Sequence, residues 1–394
     1  MQTIKYIDLF SGIGGFRMGF ELACAELGVK AKCVFSSEIN KFSRQTYKAN
    51  FGEEPAGDIT KIASKDIFPY RKKTDIFGLF AGFPCQPFSL AGKQEGWADE
   101  RNMIPHMLRV IEDLKPDFFI LENVKGFKSK KFKDIYARLM WDLKVTYGYT
   151  VYEKIYNANA VVPQNRERIF FVGSKEKTNF AFPKIPTLGI KIKDILEYEV
   201  QDKYTLSDKT WACLQRRVGD YYMKKTKWVS SIKMIEPDGT GATLTSTYGR
   251  NGGAAILIPP ELRKTPEFKN GFGYGIAEPD GTGRTLSARY KNDGAEILIE
   301  QKNKNPRIMT PRECARYMGF PDDFKIVVSD SQAYKQFGNA VVPQVVEYIA
   351  GSVLRAMDLK NARPHKKSRK KIEYNPLFDA ALNTMRNNFL YRMG

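Results

Sequence analysis

Lys5-Tyr6-Ile7-Asp8-Leu9-Phe10-Ser11-Gly12-Ile13-Gly14-Gly15 is the stretch that decides the fold. An apolar run of strand length enters a glycine-rich turn, and Phe16, Met18, Phe20, Leu22 and Ala23 continue at helical spacing. That is the strand-turn-helix opening of a βα unit. Outward from it, Cys33-Val34-Phe35-Ser36-Ser37 reads as a second strand and Lys41 to Asn50 as a polar helix. Asp75 to Ala81 and Pro116 to Leu121 read as buried strands that run into polar loops, with a helix from near Asn102 between them. This alternation predicts an α/β fold, a parallel sheet covered by helices on both faces. Ligands of such sheets bind outside the carboxyl ends of the strands, so the loops that follow the strands are expected to converge on one edge.

The chain has 394 residues, enough for two or three domains. After about residue 185 charged, Gly-rich and Tyr-rich segments replace the βα rhythm until about residue 305. Here Glu236-Pro237-Asp238-Gly239-Thr240-Gly241 recurs as Glu278-Pro279-Asp280-Gly281-Thr282-Gly283, and Thr243-Leu244 is answered by Thr285-Leu286. The copies, 236–258 and 278–299, are too few for a solenoid and read as paired β-hairpin units of a second, mostly β domain. A helical pattern returns after Pro311, with an amphipathic helix from Pro343 to about Met357. A basic run, Lys366-Lys367-Ser368-Arg369-Lys370-Lys371, opens the tail.

Lys and Arg number 63 against 44 Asp and Glu, a formal charge of +19 that asks for a polyanionic partner or a lysine-rich enzyme surface. Hydrophobic residues make up 42%, which excludes wholesale disorder. No apolar run is long enough to span a membrane and no secretory signal opens the chain. The five cysteines lack CxxC spacing, which fits a reducing cytoplasm and speaks against structural zinc; no metal site is expected.

Four loops carry candidate chemistry. The glycines after Phe10 let a ligand approach the backbone, and Glu38, roughly 20 to 25 positions beyond them, is placed for ribose hydroxyls. Asp58 is a third candidate contact or a solvated loop charge. Gly82-Phe83-Pro84-Cys85-Gln86-Pro87-Phe88-Ser89 is more specific: prolines stiffen the loop and hold one sulfur in place, whereas the other cysteines read as small buried hydrophobes. Glu122-Asn123-Val124 ends an apolar strand, where a carboxyl group is either partly desolvated and protonated or merely exposed. In Gln164-Asn165-Arg166-Glu167-Arg168 two arginines at alternate positions point to one side of an extended chain, as phosphate or carbonyl receptors or as edge-strand charge.

In order and type these motifs resemble those of bacterial and phage DNA (cytosine-5)-methyltransferases, over residues 4–358. Arg307 to Ala315 and Gln336-Phe337-Gly338-Asn339-Ala340-Val341-Val342-Pro343 look like the family's last two motifs. The resemblance implies a Rossmann-like S-adenosylmethionine-dependent fold with a smaller, mostly β target-recognition domain. It divides the chain into a catalytic and cofactor-binding domain (1–185 with 306–360), a recognition domain (186–305) and a basic tail (361–394). It implies Cys85 as the nucleophile at carbon 6 of cytosine, Glu122 as the acid at ring nitrogen 3, Arg168 at the base carbonyl, Arg166 in support and Asn123 fixing the ring. Cofactor contacts carry over to Phe10, Gly12, Gly14, Glu38, Ile39, Asp58, Ile59, Pro84 and Asn339. Ile39 departs from the aromatic residue that many relatives place against adenine, and Ala91 from the serine some relatives carry in the mobile loop. DNA contacts are expected from Gln86, Ser89, Thr243, Arg250, Arg284, Thr285, Arg289 and Lys291.

The partner implied is double-stranded DNA, with a flipped target base. A cytoplasmic, monomeric modification enzyme working beside an independent restriction endonuclease is the expected setting. Two other readings compete: a transfer RNA cytosine-5 methyltransferase of the same fold, and a DNA-binding protein whose chemistry is silent.

Overall fold

The computed structural model describes residues 3–67, 76–84, 102–212, 280–282, 285–286 and 297–357. In chain order the strands are β1 (Thr3–Leu9), β2 (Lys30–Ser37), β3 (Ile76–Gly82), β4 (Phe118–Val124), β5 (Thr150–Asn157), β6 (Glu167–Ser174), β7 (Leu298–Gln301) and β8 (Lys304–Ile308). The longer helices are α1 (Gly15–Glu26), α2 (Lys41–Phe51), α3 (Ile104–Leu114), α4 (Lys133–Trp141), α5 (Pro311–Tyr317), α6 (Asp330–Asn339) and α7 (Pro343–Ala356). The chain divides into two compact units: Met1–Asn157 with Glu167–Pro186 and Ala340–Ile372, and Ala158–Arg166 with Thr187–Asn339 and Glu373–Gly394.

The first unit is built on a six-stranded sheet in the order β2-β1-β3-β4-β6-β5. The pairs from β2 to β4 are parallel, whereas β6 is antiparallel to both β4 and β5. The sheet is therefore mostly parallel, with β6 the reversed strand. The reason lies in the connection: only residues 158–166 separate β5 from β6, fewer than a parallel crossover needs.

Alternation along β1 sends its side chains to opposite faces. Ile7 and Leu9 join Phe77, Leu79, Phe119 and Leu121 in a core with Met107, Leu108 and Ile111 of α3 and Leu139 of α4. Tyr6 faces the other way, its ring 4.9 Å from Phe20 of α1, and Phe16 stacks on Phe80 at 5.8 Å. Helices cover both faces, as the sequence predicts. Burial of each such aromatic contributes about 1.5–3 kcal/mol, and the two layers hold the strand ends, and so the loops, in fixed register.

In the second unit β7 and β8 form an antiparallel hairpin that turns through Asn303 at a φ of 58°. Thr310 caps α5 through a reciprocal bond pair with Glu313. Arg307 meets Glu313 in a buried bidentate pair at 2.7 and 2.8 Å. The Glu197 amide also donates to Glu313, at 2.9 Å, and Arg316 donates to the Ile195 carbonyl. These bonds group residues 306–339 with 187–305. Of the repeat, residues 280–282, 285–286 and 297–299 are described; the remainder, and the tail beyond 357, lie outside the described residues.

Candidate active site

In the first unit the loop after β1 turns through three left-handed residues, Phe10, Gly12 and Gly14, with φ of 55°, 54° and 89°. A side chain at Gly12 would meet nothing within 4 Å, so this turn presents bare backbone to open space. The Gly12 amide donates to Glu38 at 3.0 Å and the Asn40 amide to the same carboxylate at 2.7 Å. Glu38 is thus fixed at the carboxyl end of β2, one bond to each oxygen. Ile39 beside it is 72% exposed, an apolar surface with no packing role.

Asp58 accepts from the Thr60 amide at 3.0 Å and the Thr60 hydroxyl at 2.8 Å, through one oxygen. Its burial works toward a higher pKa, but the Thr60 bonds together with Lys61 and His106 outweigh it and hold the carboxyl below its ordinary value. Ile59 is buried in the core, and its carbonyl accepts from the Arg109 guanidinium at 3.0 Å.

Behind the loop lies a feature that the apolar texture of β1 conceals. Asp8 is fully buried, and neither carboxyl oxygen has a hydrogen-bond partner among the described residues. Burial raises its pKa well above the ordinary value, against the pull of Arg17. The Ser11 and Ser37 hydroxyls are likewise buried without partners. The signal in the sequence was a carboxylate inside an apolar strand.

At the ends of β3 and β4 Gly82 pairs in register with Glu122. A side chain added at Gly82 would lie 3.6 Å from the Glu122 carboxyl and from the Phe16 ring. Arg168, on β6 and two residues before Phe170, the register partner of Glu122, reaches Glu122 diagonally and binds it at 3.0 Å, with both side chains mostly buried. Asn123 is buried and donates to the Phe83 carbonyl at 3.1 Å. Its amide therefore holds the start of the proline loop. Pro84 is the last described residue there; Cys85, Gln86 and Ser89 lie outside the described residues.

Arg166 directly precedes β6, belongs to the second unit, and donates to the Leu286 carbonyl at 3.1 Å and the Gly338 carbonyl at 3.0 Å, closing the end of α6. Gln164, fully buried, accepts from the Leu286 amide at 2.9 Å and donates to the Tyr317 carbonyl at 2.9 Å. Thr285 donates its hydroxyl to the Asn165 carbonyl. The Thr-Leu pair is thus held by the Gln-Asn-Arg segment, a role that sequence reasoning did not assign. Asn339 ends α6, exposed, in the second unit. Thr243, Arg250, Arg284, Arg289 and Lys291 lie outside the described residues.

A mostly parallel sheet with one reversed strand, and a carboxylate paired to a guanidinium at its carboxyl edge beside a glycine-rich turn, define an α/β enzyme of the Rossmann-like methyltransferase class. A family model for C-5 cytosine-specific DNA methylases matches residues 4–355, and the chain belongs to that family. It is 41% identical over 364 residues to the Type II methyltransferase M.DsaV of Dactylococcopsis salina, covering 91% of this chain and 88% of that one. It is 33% identical over 368 residues to the Type II methyltransferase M.HhaI of Haemophilus parahaemolyticus, covering 91% and 97%. The fold is shared with the S. pombe Dnmt2 methyltransferase at a TM-score of 0.61 and 20% identity, over 90% of this chain and 99% of that one.

Proposed function

We propose that this enzyme methylates carbon 5 of a cytosine flipped out of duplex DNA, with S-adenosylmethionine as donor and Cys85 as covalent nucleophile, as the modification half of a restriction-modification system. The Arg168–Glu122 pair at 3.0 Å carries the reading. It fixes a carboxyl group at the end of β4, abutting Gly82 of the segment that leads to Cys85.

The residues at the first loop fit the donor. Gly12 offers open backbone, Glu38 an oriented carboxylate for the ribose, Asp58 a charged acceptor for an adenine amine and Ile39 an apolar face. The orphaned Ser11 hydroxyl suits a ligand that brings polar groups to the turn. When bound, S-adenosylmethionine supplies an electrophilic methyl group.

Cytosine carbon 5 is a poor nucleophile, so electron density must be pushed into the ring. The Cys85 thiolate bonds to carbon 6, and Glu122 hydrogen-bonds ring nitrogen 3 and neutralises the charge that develops there. Arg168 orients Glu122 and faces the base carbonyl. Carbon 5 would then take the methyl group, the donor's sulfur–methyl bond breaking to leave its neutral thioether; the carbon-5 proton passes to water as the bond between Cys85 and carbon 6 breaks, which restores the ring and the Cys85 thiolate. Asn123 serves as a positioning residue for the Phe83–Pro84 turn.

The test is covalent trapping on duplex DNA carrying 5-fluorocytosine, in the presence of S-adenosylmethionine. A stable adduct with the native chain and none with Cys85→Ser is expected. Methylation of transfer RNA instead of duplex DNA would replace the DNA reading, and absence of any adduct would establish the silent DNA-binding one. Bisulfite sequencing of DNA from cells expressing the chain would give the target site.

A further inference from the structure

Directly after Glu122-Asn123-Val124 the chain reads Lys125-Gly126-Phe127-Lys128-Ser129-Lys130-Lys131-Phe132-Lys133, five lysines in nine residues with no acid among them. Its conformation separates the two residue types. Phe127 is fully buried and Phe132 nearly so, while all five lysines are exposed. Two short 3-10 turns, Lys125–Lys128 and Lys130–Phe132, run into α4. In such turns residues three apart eclipse one another, so the lysines line up on the outer side while the aromatic rings anchor the inner one.

This segment is attached to the candidate active site. The Phe127 ring packs edge-on against Phe83 at 5.5 Å, and Phe83 is also held by Asn123. A rigid row of positive charge is thereby tied to the start of the Cys85 loop. Two of the charges are matched: Lys125 binds Glu167 at 2.9 Å and Lys128 binds Glu153. Lys130, Lys131 and Lys133 have no acidic partner among the described residues. Such a row costs self-repulsion in the folded chain, and that cost is offset when a polyanion binds.

We propose that Lys130, Lys131 and Lys133 form a phosphate-contact row for the DNA strand flanking the flipped base. The proposal rests on the methyltransferase reading of the adjoining site. Contacts of this kind position the duplex without reading its bases.

The test is the salt dependence of duplex DNA binding by the full chain. Each neutralised phosphate contact contributes about 0.9 to the slope of log affinity against log salt. The K130Q/K131Q/K133Q variant is expected to lower that slope by about 2 to 3, and K130Q or K133Q alone by about 1. The charge-matched control is K30Q/K175Q/K177Q. Those exposed lysines adjoin the start of β2 and the end of β6, at the opposite edge of the sheet. The control is expected to retain the native slope. A native slope in the triple and single variants, or an equal fall in the control, would overturn the proposal. Failure of the native chain to bind duplex DNA at all would instead overturn the functional reading beneath it.

Discussion

Two carboxylates on strands of one sheet, with β3 between them, show how position sets chemistry at the scale of a residue. Glu122, near the end of β4, is held against Arg168 and is the acid of the proposed reaction. Replacing it with Gln keeps the shape and removes the acid; a fall of about 10²–10⁴ in single-turnover methyl transfer is expected. Retention of the native rate would remove Glu122 from the chemistry. Asp8 is the opposite case, a carboxyl group enclosed beneath α1 and shifted by burial toward its neutral form. In the unfolded chain it ionises in the ordinary range, near 3.9. As pH rises from that range toward the raised folded value, the unfolded chain gives up its proton first, and stability falls across that window. Asp8→Asn is expected to flatten this decline and to melt higher than the native chain at neutral pH. An unaltered pH profile of thermal unfolding would show that Asp8 is charged in the fold.

Among the elements, the packing of α1 on α7 rests on one close approach. A side chain on Gly19 would lie 2.3 Å from the Pro343 carbonyl oxygen, and backbone cannot move aside as a side-chain tip can. Gly19→Ala is therefore expected to cost about 1–3 kcal/mol, the usual range for overpacking, read as a lowered melting temperature. An unchanged melting temperature would mean that the helices separate freely. The elements of the first unit were largely legible in the sequence. β1, α1, α2 and α7 announce themselves through periodicity and glycine placement, and the glycine turn and Glu38 follow β1 and β2 directly. The direction of β6 was not legible, because Ile169-Phe170-Phe171-Val172-Gly173 is apolar whichever way it runs. Only the short connection from β5 decides it. The partners of Arg166 were hidden for a similar reason: they are backbone carbonyls of Leu286 and Gly338, distant in sequence and without a side-chain signature.

For the whole molecule, the family match spans residues 4–355 and leaves part of the charge outside it. The match ends at residue 355, and α7 closes at Ala356. Residues 361–394 carry eight Lys and Arg against two Asp and Glu, so +6 of the formal +19 lies beyond the catalytic fold. The remaining +13 belongs to residues 1–360, where the lysine row after β4 supplies a dense share. The second unit was the least legible region, since its Thr-Leu pair, its Arg307–Glu313 pair and its Gln164 hub join segments more than a hundred residues apart or bury polar groups that look like surface. Charge, by contrast, is additive and needs no contact to be read. A chain ending at Lys360 keeps every residue of α7, whose buried face covers α1, and is expected to methylate DNA at the native kcat. Its affinity for duplex DNA should respond less steeply to salt, with a slope lower by at most about 7, the limit set by one phosphate contact for each of the eight cations removed. Kinetics at low salt and binding across a salt series separate the two outcomes. Loss of methylation would place part of the catalytic machinery in the tail, and an unchanged slope would make those charges bystanders to DNA.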